Sequence, residues 1–312
     1  MARKYLFGPV PSRRLGRSLG IDLLPAKVCT LDCVYCECGA TQECTLDRRE
    51  YVPTDAVIAE LDAALENRPE LDSITFSGSG EPCLHAGLGT IIRHLKNKYP
   101  EYRITVLTNG TLLTDPFVRE ELSEADLVVP SLDAVSADVF ESVNRPHPDL
   151  DNERVIDGLV TFRGMYKGLI WLEIFIIPGK NDTPDELRAL VKAVDRIQPD
   201  RVQLNSLDRP AAYEGVTVPT PEHLLEIVTG YFPGADIVSR HFIPVPEKAV
   251  PRELSEAILE ILRRRPLNLD DVRVQFSLHV HEAHKIMRHL VESGRVRLEG
   301  SFYLLNTDKT TS

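Results

Sequence analysis

From residue 18 to residue 206 the chain alternates short apolar runs with amphipathic stretches of helical period, and this leaves few folds open. Such alternation predicts strand–helix units laid around a parallel sheet. Candidate strands cover 18–24, 73–77, 103–107, 127–131, 169–177 and 201–204. A helix after residue 54, with Thr54 as its cap, puts Val57, Ile58, Leu61, Ala64 and Leu65 on one face. Further helices are expected at 88–99, 116–125 and 183–197, the last opened by Thr183-Pro184-Asp185-Glu186. Six units make an α/β chain with a partial (β/α)6 barrel.

Polar residues follow the predicted strands. Glu81 follows the second, Asn109-Gly110 the third, Ser131 and Asp133 the fourth, Pro178-Gly179 the fifth and Asn205-Ser206 the sixth. Each alone reads as an ordinary turn. In succession they predict a site at the C-terminal ends of the strands, where parallel barrels do their chemistry.

The same end of the barrel faces a loop carrying Cys29, Cys33 and Cys36, spaced C-x3-C-x2-C. Three thiolates on one short loop can bind three irons of a 4Fe-4S cluster and leave the fourth open to a small molecule. Disulfides fit poorly: no secretory apolar region follows Met1-Ala2-Arg3-Lys4, so a reducing, cytoplasmic setting is expected. A thioredoxin-like pair at Cys33 and Cys36 lacks its preceding strand. Structural zinc stays open, with Cys38 as a fourth ligand. No apolar run approaches the length of a membrane span.

Charge divides the chain. The formal charge is −11, yet residues 251–312 hold 10 basic against 9 acidic side chains and four of the nine histidines. An acidic body argues against broad nonspecific binding to nucleic acid. The pattern predicts a barrel over 1–215, an α/β extension and linker over 216–250, and a separate domain over 251–312. Helices at 253–264, 269–276 and 280–293, then a hairpin at 295–298 and 301–305, describe a winged helix.

These features carry a resemblance. Gly8-Pro-Val-Pro-Ser-Arg-Arg-Leu-Gly-Arg-Ser-Leu-Gly20, the cysteine loop, Ser77-Gly-Ser-Gly-Glu-Pro82, Ser131-Leu-Asp-Ala134 and Gln203-Leu-Asn205 resemble the radical S-adenosylmethionine (SAM) superfamily over residues 5–210. The chain is most similar to the wyosine-synthase-like Fe-S oxidoreductases. The resemblance implies a 4Fe-4S cluster on Cys29, Cys33 and Cys36, with SAM chelating the fourth iron. It implies SAM contacts from Tyr35, Gly78, Gly80, Glu81, Asn109, Ser131, Asp133 and Ile177. It also implies an electron donor such as a flavodoxin or ferredoxin, and a 5′-deoxyadenosyl radical that takes hydrogen from a substrate.

Other residues keep two readings. Cys38, Cys44 and Cys83 are small buried hydrophobes, or else ligands of a second cluster or thiol hydrogen donors, with Cys83 best placed. Wyosine-forming enzymes carry an extra cysteine triplet before the radical motif, and no cysteine precedes Cys29 here. Arg13, Arg14 and Arg17 are a solvated loop or a clamp on an anionic group. Asn205, Asp208, Arg209 and Cys83 are candidate substrate or catalytic residues. His281, His284, Lys285, Arg288 and Glu292 form a solvated helix face or a recognition surface for RNA or a peptide. An RNA-base modification, a peptide modification and a non-catalytic Fe-S winged-helix regulator are the functions in play.

Overall fold

The computed structural model describes residues 4–12, 14–24, 27–238, 252–263, 265–268, 271–272, 275–276, 286–287, 289–291, 293–299 and 302–306. Its residues fall into two compact units, Met1–Phe242 and Ile243–Ser312.

The first unit is an eight-stranded sheet in the order β1-β2-β5-β6-β7-β8-β9-β10. Strands β2 (Gly16–Ile21), β5 (Ser73–Phe76), β6 (Arg103–Thr108), β7 (Leu127–Pro130), β8 (Leu169–Phe175) and β9 (Arg201–Asn205) are all parallel neighbours. These are the six strands read from the sequence, each within a few residues of its expected ends. Two edges were not foreseen as part of this sheet. β1 (Leu6–Ser12) pairs antiparallel with β2 through a register shift between Phe7 and Val10. β10 (Asp236–Ile237) pairs parallel with β9.

Alternation along each strand gives the sheet two unlike faces. Leu19, Ile21, Ile74, Phe76, Ile104, Val106, Ile170, Leu172 and Leu204 belong to one buried cluster shared with the helices. Against them pack α1 (Thr54–Leu65), α2 (Leu88–Lys98), α3 (Pro116–Leu122), α5 (Asn152–Met165), α6 (Pro184–Ile197) and α7 (Pro221–Tyr231). The other face is largely polar: Ser18 Oγ bonds Thr75 Oγ1 at 2.6 Å, and Ser73 Oγ bonds Thr105 Oγ1 at 2.8 Å. Leu15 closes its lower end with Leu127, Val129 and Trp171.

Two local expectations change. Thr54 is the first helical residue of α1, not its cap; Pro53 holds that position, and the Thr54 amide donates to Glu50 Oε1 at 2.7 Å. Between β7 and β8 lie α4 (Ala137–Val143) and α5, neither of which was foreseen. By contrast, Thr183 caps α6 as expected, its Oγ1 accepting the Glu186 amide at 3.3 Å.

The second unit has its own core of Ile258, Leu259, Leu262, Leu267, Val272, Ile286, Met287, Leu290, Val296 and Tyr303. Its described elements are α8 (Arg252–Leu262) and a hairpin of β11 (Val296–Glu299) with β12 (Phe302–Leu305). Glu299 pairs with Phe302, so it lies in the strand and not in the expected turn. Leu267 bridges Tyr303 as a third strand position. The linker at 243–248, Arg13 and the face of His281, His284, Lys285, Arg288 and Glu292 lie outside the described residues.

Candidate active site

A cavity of about 230 Å³ opens at the C-terminal ends of the parallel strands. Cys29, Cys33, Cys36, Tyr35, Gly78, Gly80, Glu81, Asn109 and Ser131 all line it. Lys27, Arg14, Glu173 and Cys38 are among the other residues that line it.

The cysteine loop is fastened on several sides before any ligand is considered. Val28 and Cys29 form the short strand β3, whose Val28 carbonyl accepts the Glu81 amide at 3.1 Å. A short β4 (Glu43–Cys44) pairs beside it. Asp32 N donates to Asn144 O at 3.0 Å, Val34 N to Val143 O at 2.9 Å, and His147 N to Thr30 O at 3.0 Å. On the far side, Tyr213 donates its hydroxyl to Asp32 Oδ2 at 2.5 Å. The amides of Asp208 and Arg209 donate to Glu37 Oε1 at 2.7 and 3.0 Å. The backbone of these two candidates therefore anchors the loop, and neither side chain lines the cavity.

Each of the three sulfurs accepts a side-chain N–H. Lys27 Nζ donates to Cys36 at 2.8 Å, Asn109 Nδ2 to Cys29 at 3.4 Å and Asn144 Nδ2 to Cys33 at 3.4 Å. Burial, with Glu81 nearby, pushes the Cys29 thiol up to about 11. Burial and Asp133 raise Cys33 as well. Cys36 goes the other way, to about 5, through hydrogen bonds from Cys38 and Lys27. Burial pulls the Lys27 ammonium down, but the Cys36 sulfur outweighs it and the net shift is upward.

The donor set fits an iron–sulfur cluster. Among the described residues no three His, Cys, Asp or Glu side chains close on a point as one metal ion requires. The three thiolates of a 4Fe-4S cluster bind three different irons and need no common point. Glycines admit the cradle beneath: a Cβ on Gly80 would lie 1.9 Å from the Val28 carbonyl oxygen, and Gly78 has φ +117°.

Glu81 is buried, and burial raises its carboxyl. Its oxygens accept Thr108 Oγ1 at 2.6 Å, Asn109 N at 2.7 Å and Cys83 N at 3.0 Å. The carboxylate thus locks the end of β6 to the glycine segment. Asp133 sits just behind the cavity, where burial lifts it to about 6. It accepts Asn144 Nδ2 at 2.8 Å, Phe175 N at 2.9 Å and the Tyr35 hydroxyl. Tyr35 stacks on Phe175 with centroids 4.0 Å apart.

Other expected residues lie elsewhere. Ile177 is buried with Val34, Val143, Phe175 and Leu207, away from the cavity wall. Cys83 is fully buried in the main core, its thiol 3.5 Å from Thr108 Oγ1, because the turn after Glu81 folds it inward. Cys38 and Cys44 are exposed. Asn205 donates to Glu173 Oε2 at 3.2 Å, and Arg14 reaches the same carboxylate and Gln203 Oε1 at 3.4 Å. Glu173 carries a sequence signal that was passed over: an acid inside the run Leu169-Ile-Trp-Leu-Glu-Ile-Phe175 has to face a polar interior. Lys27 and Asn144 have no comparable signal.

A parallel barrel with thiols, glycines and carboxylates gathered at its strand ends is the architecture of an iron–sulfur cofactor enzyme. The family model described as the Radical SAM superfamily matches residues 23–193, and the chain belongs to that superfamily of enzymes. Its cofactors are a 4Fe-4S cluster and SAM. A UPF0026 protein of Helicobacter pylori strain J99 is 31 % identical over 278 residues, covering 87 % of this chain and 88 % of that one. A protein of Brachyspira hyodysenteriae named GTPase Obg is 36 % identical over 299 residues. That match takes in 95 % of this chain but only 44 % of the relative. A solved radical SAM methyltransferase of Sphaerobacter thermophilus shares the fold at TM-score 0.54 and 19 % identity, covering 74 % of this chain and 68 % of the other.

Proposed function

We propose that the chain holds its cluster on Cys29, Cys33 and Cys36, binds SAM against residues 78–81, Asn109 and Ser131, and modifies a base in RNA. One observation carries the site assignment: a single cavity is lined by the three cysteines together with the ends of β5, β6 and β7. When bound and given one electron by a flavodoxin or ferredoxin, the cluster and SAM supply a hydrogen-abstracting 5′-deoxyadenosyl radical.

The protein's part is to orient and to shield. Gly78 and Gly80 let the backbone approach the SAM amino group, and Glu81 holds that segment against Asn109. Tyr35 and Asp133 brace the loop from behind. Arg14, Glu173, Gln203 and Asn205 form a paired row of donors and acceptors. A charge-balanced row of this kind suits the edge of a neutral heterocycle better than a phosphate, which supports the RNA-base reading. Residues 251–312 serve as the winged-helix domain that recognises the larger substrate. No helix among the described residues is long and apolar enough to cross a membrane.

The test incubates reconstituted protein anaerobically with SAM, dithionite and total RNA. Expected are 5′-deoxyadenosine, faster with RNA than without, and RNA binding that weakens steeply with salt. Lys285→Ala with Arg288→Ala should lower that salt slope. Salt-insensitive binding of a peptide instead would favour peptide modification. Absence of 5′-deoxyadenosine under strong reductant would favour the regulator.

A further inference from the structure

The three sulfur contacts form a set. Each candidate ligand accepts one side-chain N–H, and these donors come from different parts of the chain: Lys27 just before β3, Asn109 after β6, and Asn144 at the end of α4.

Asn144 shows that the aim is selective. Its Nδ2 serves both Cys33 Sγ and Asp133 Oδ2, while its Oδ1 is buried with no hydrogen-bond partner. Leaving a buried acceptor unpaired costs about 1–3 kcal/mol. The fold accepts that cost to point the amide's donors at a sulfur and a carboxylate. Asn109 is held as firmly, its Oδ1 accepting Thr111 N at 3.1 Å and Thr111 Oγ1 at 2.8 Å while its Nδ2 faces Cys29 and Thr30. Lys27 is half-buried and contributes a full positive charge.

We propose that Lys27, Asn109 and Asn144 are positioning residues that stabilise the reduced cluster and set the potential at which it accepts its electron. The inference rests on Cys29, Cys33 and Cys36 being the ligands. The electron arrives from a low-potential ferredoxin or flavodoxin, or from dithionite in the test tube. The 4Fe-4S core passes from 2+ to 1+, no bond breaks and all three thiolates stay attached. Added negative charge spreads onto the sulfurs, so N–H donors and a cation there favour the reduced form. Glu81 and Asp133, close to Cys29 and Cys33, act in the opposite sense. Lys27 is therefore the strongest member of the set, being the one that carries charge.

The test is an anaerobic redox titration of the reconstituted full chain, read by electron paramagnetic resonance, with iron and sulfide measured on every sample. At the wild-type midpoint, Lys27→Met should lower the reduced-to-oxidised ratio about tenfold, which is about 59 mV for a one-electron couple. Lys27→Gln should move almost as far, and Lys27→Arg should stay within about twofold, since it keeps the charge. Asn144→Leu should shift the ratio the same way by about threefold. Met and Gln variants with a full cluster and an unmoved midpoint would overturn the proposal. A wild-type chain that takes up no iron would instead sink the ligand assignment, and this inference with it.

Discussion

The two faces of one sheet do different work with the same strands. On the helix side, Ile74, Ile104 and Leu172 are wholly buried among aliphatic neighbours. On the inner side, one residue along in each strand, stand Ser73, Thr105 and Glu173; the two hydroxyls bond each other and the carboxylate accepts Asn205. Stability is concentrated outside and chemistry inside. A parallel barrel can therefore change its reaction without changing its support, because period-two alternation keeps the two residue sets apart.

The largest test of that separation removes the ligands. The triple variant Cys29→Ala, Cys33→Ala, Cys36→Ala should fall from about four irons per chain to none. It should still melt cooperatively, close to the apo wild type. Iron retained in full would remove the loop from the site, and loss of the melting transition would show that the two faces are not independent.

Next in size is the opposite perturbation. Leu172→Ala empties a buried position on the helix side and should cost about 2–5 kcal/mol, read from urea midpoints. Iron per folded chain should stay at the wild-type value. Glu81→Ala lies at the junction of the two faces. It strips the partner from three donors, so a loss of about 1–3 kcal/mol is expected. SAM affinity should fall about tenfold in equilibrium dialysis, a change of about 1.4 kcal/mol, with the cluster in place. Unchanged affinity would separate the glycine segment from SAM. The smallest effect belongs to the inner hydroxyl ladder: Ser73→Ala should cost about 1 kcal/mol, since Thr105 loses the Ser73 hydroxyl while Thr75 keeps its bond to Ser18.

The sequence made the outer face and the strands legible, because apolar periodicity reports burial directly. It also made the cysteine loop legible, because three thiols at that spacing have few other uses. Less was visible wherever a residue acts through a partner far along the chain. Asn144 is 111 positions from the sulfur it serves, and Arg14 is 159 from Glu173. Neither pairing leaves a local mark. Helix α5 was missed although Asp151 caps it by accepting the Arg154 amide at 2.9 Å. The loop ahead of it reads as a string of turn residues and masked the start. Cys83 kept two readings because it stands next to a motif, and the turn at Pro82–Leu84 rotates it into the core, as its reading as a small buried hydrophobe has it.

Among the described residues the sheet runs as an arc from β1 to β10, with no further strand paired to either. An arc admits an object that a closed ring would have to swallow whole, so a reactive group can be presented sideways while the body carrying it stays outside. Open sheet ends usually invite a second sheet to dock along them. Here β10 is two residues long, and β1 is interrupted by its register shift and by Pro9 and Pro11, which have no N–H to offer. Neither strand is suited to recruit a neighbouring sheet.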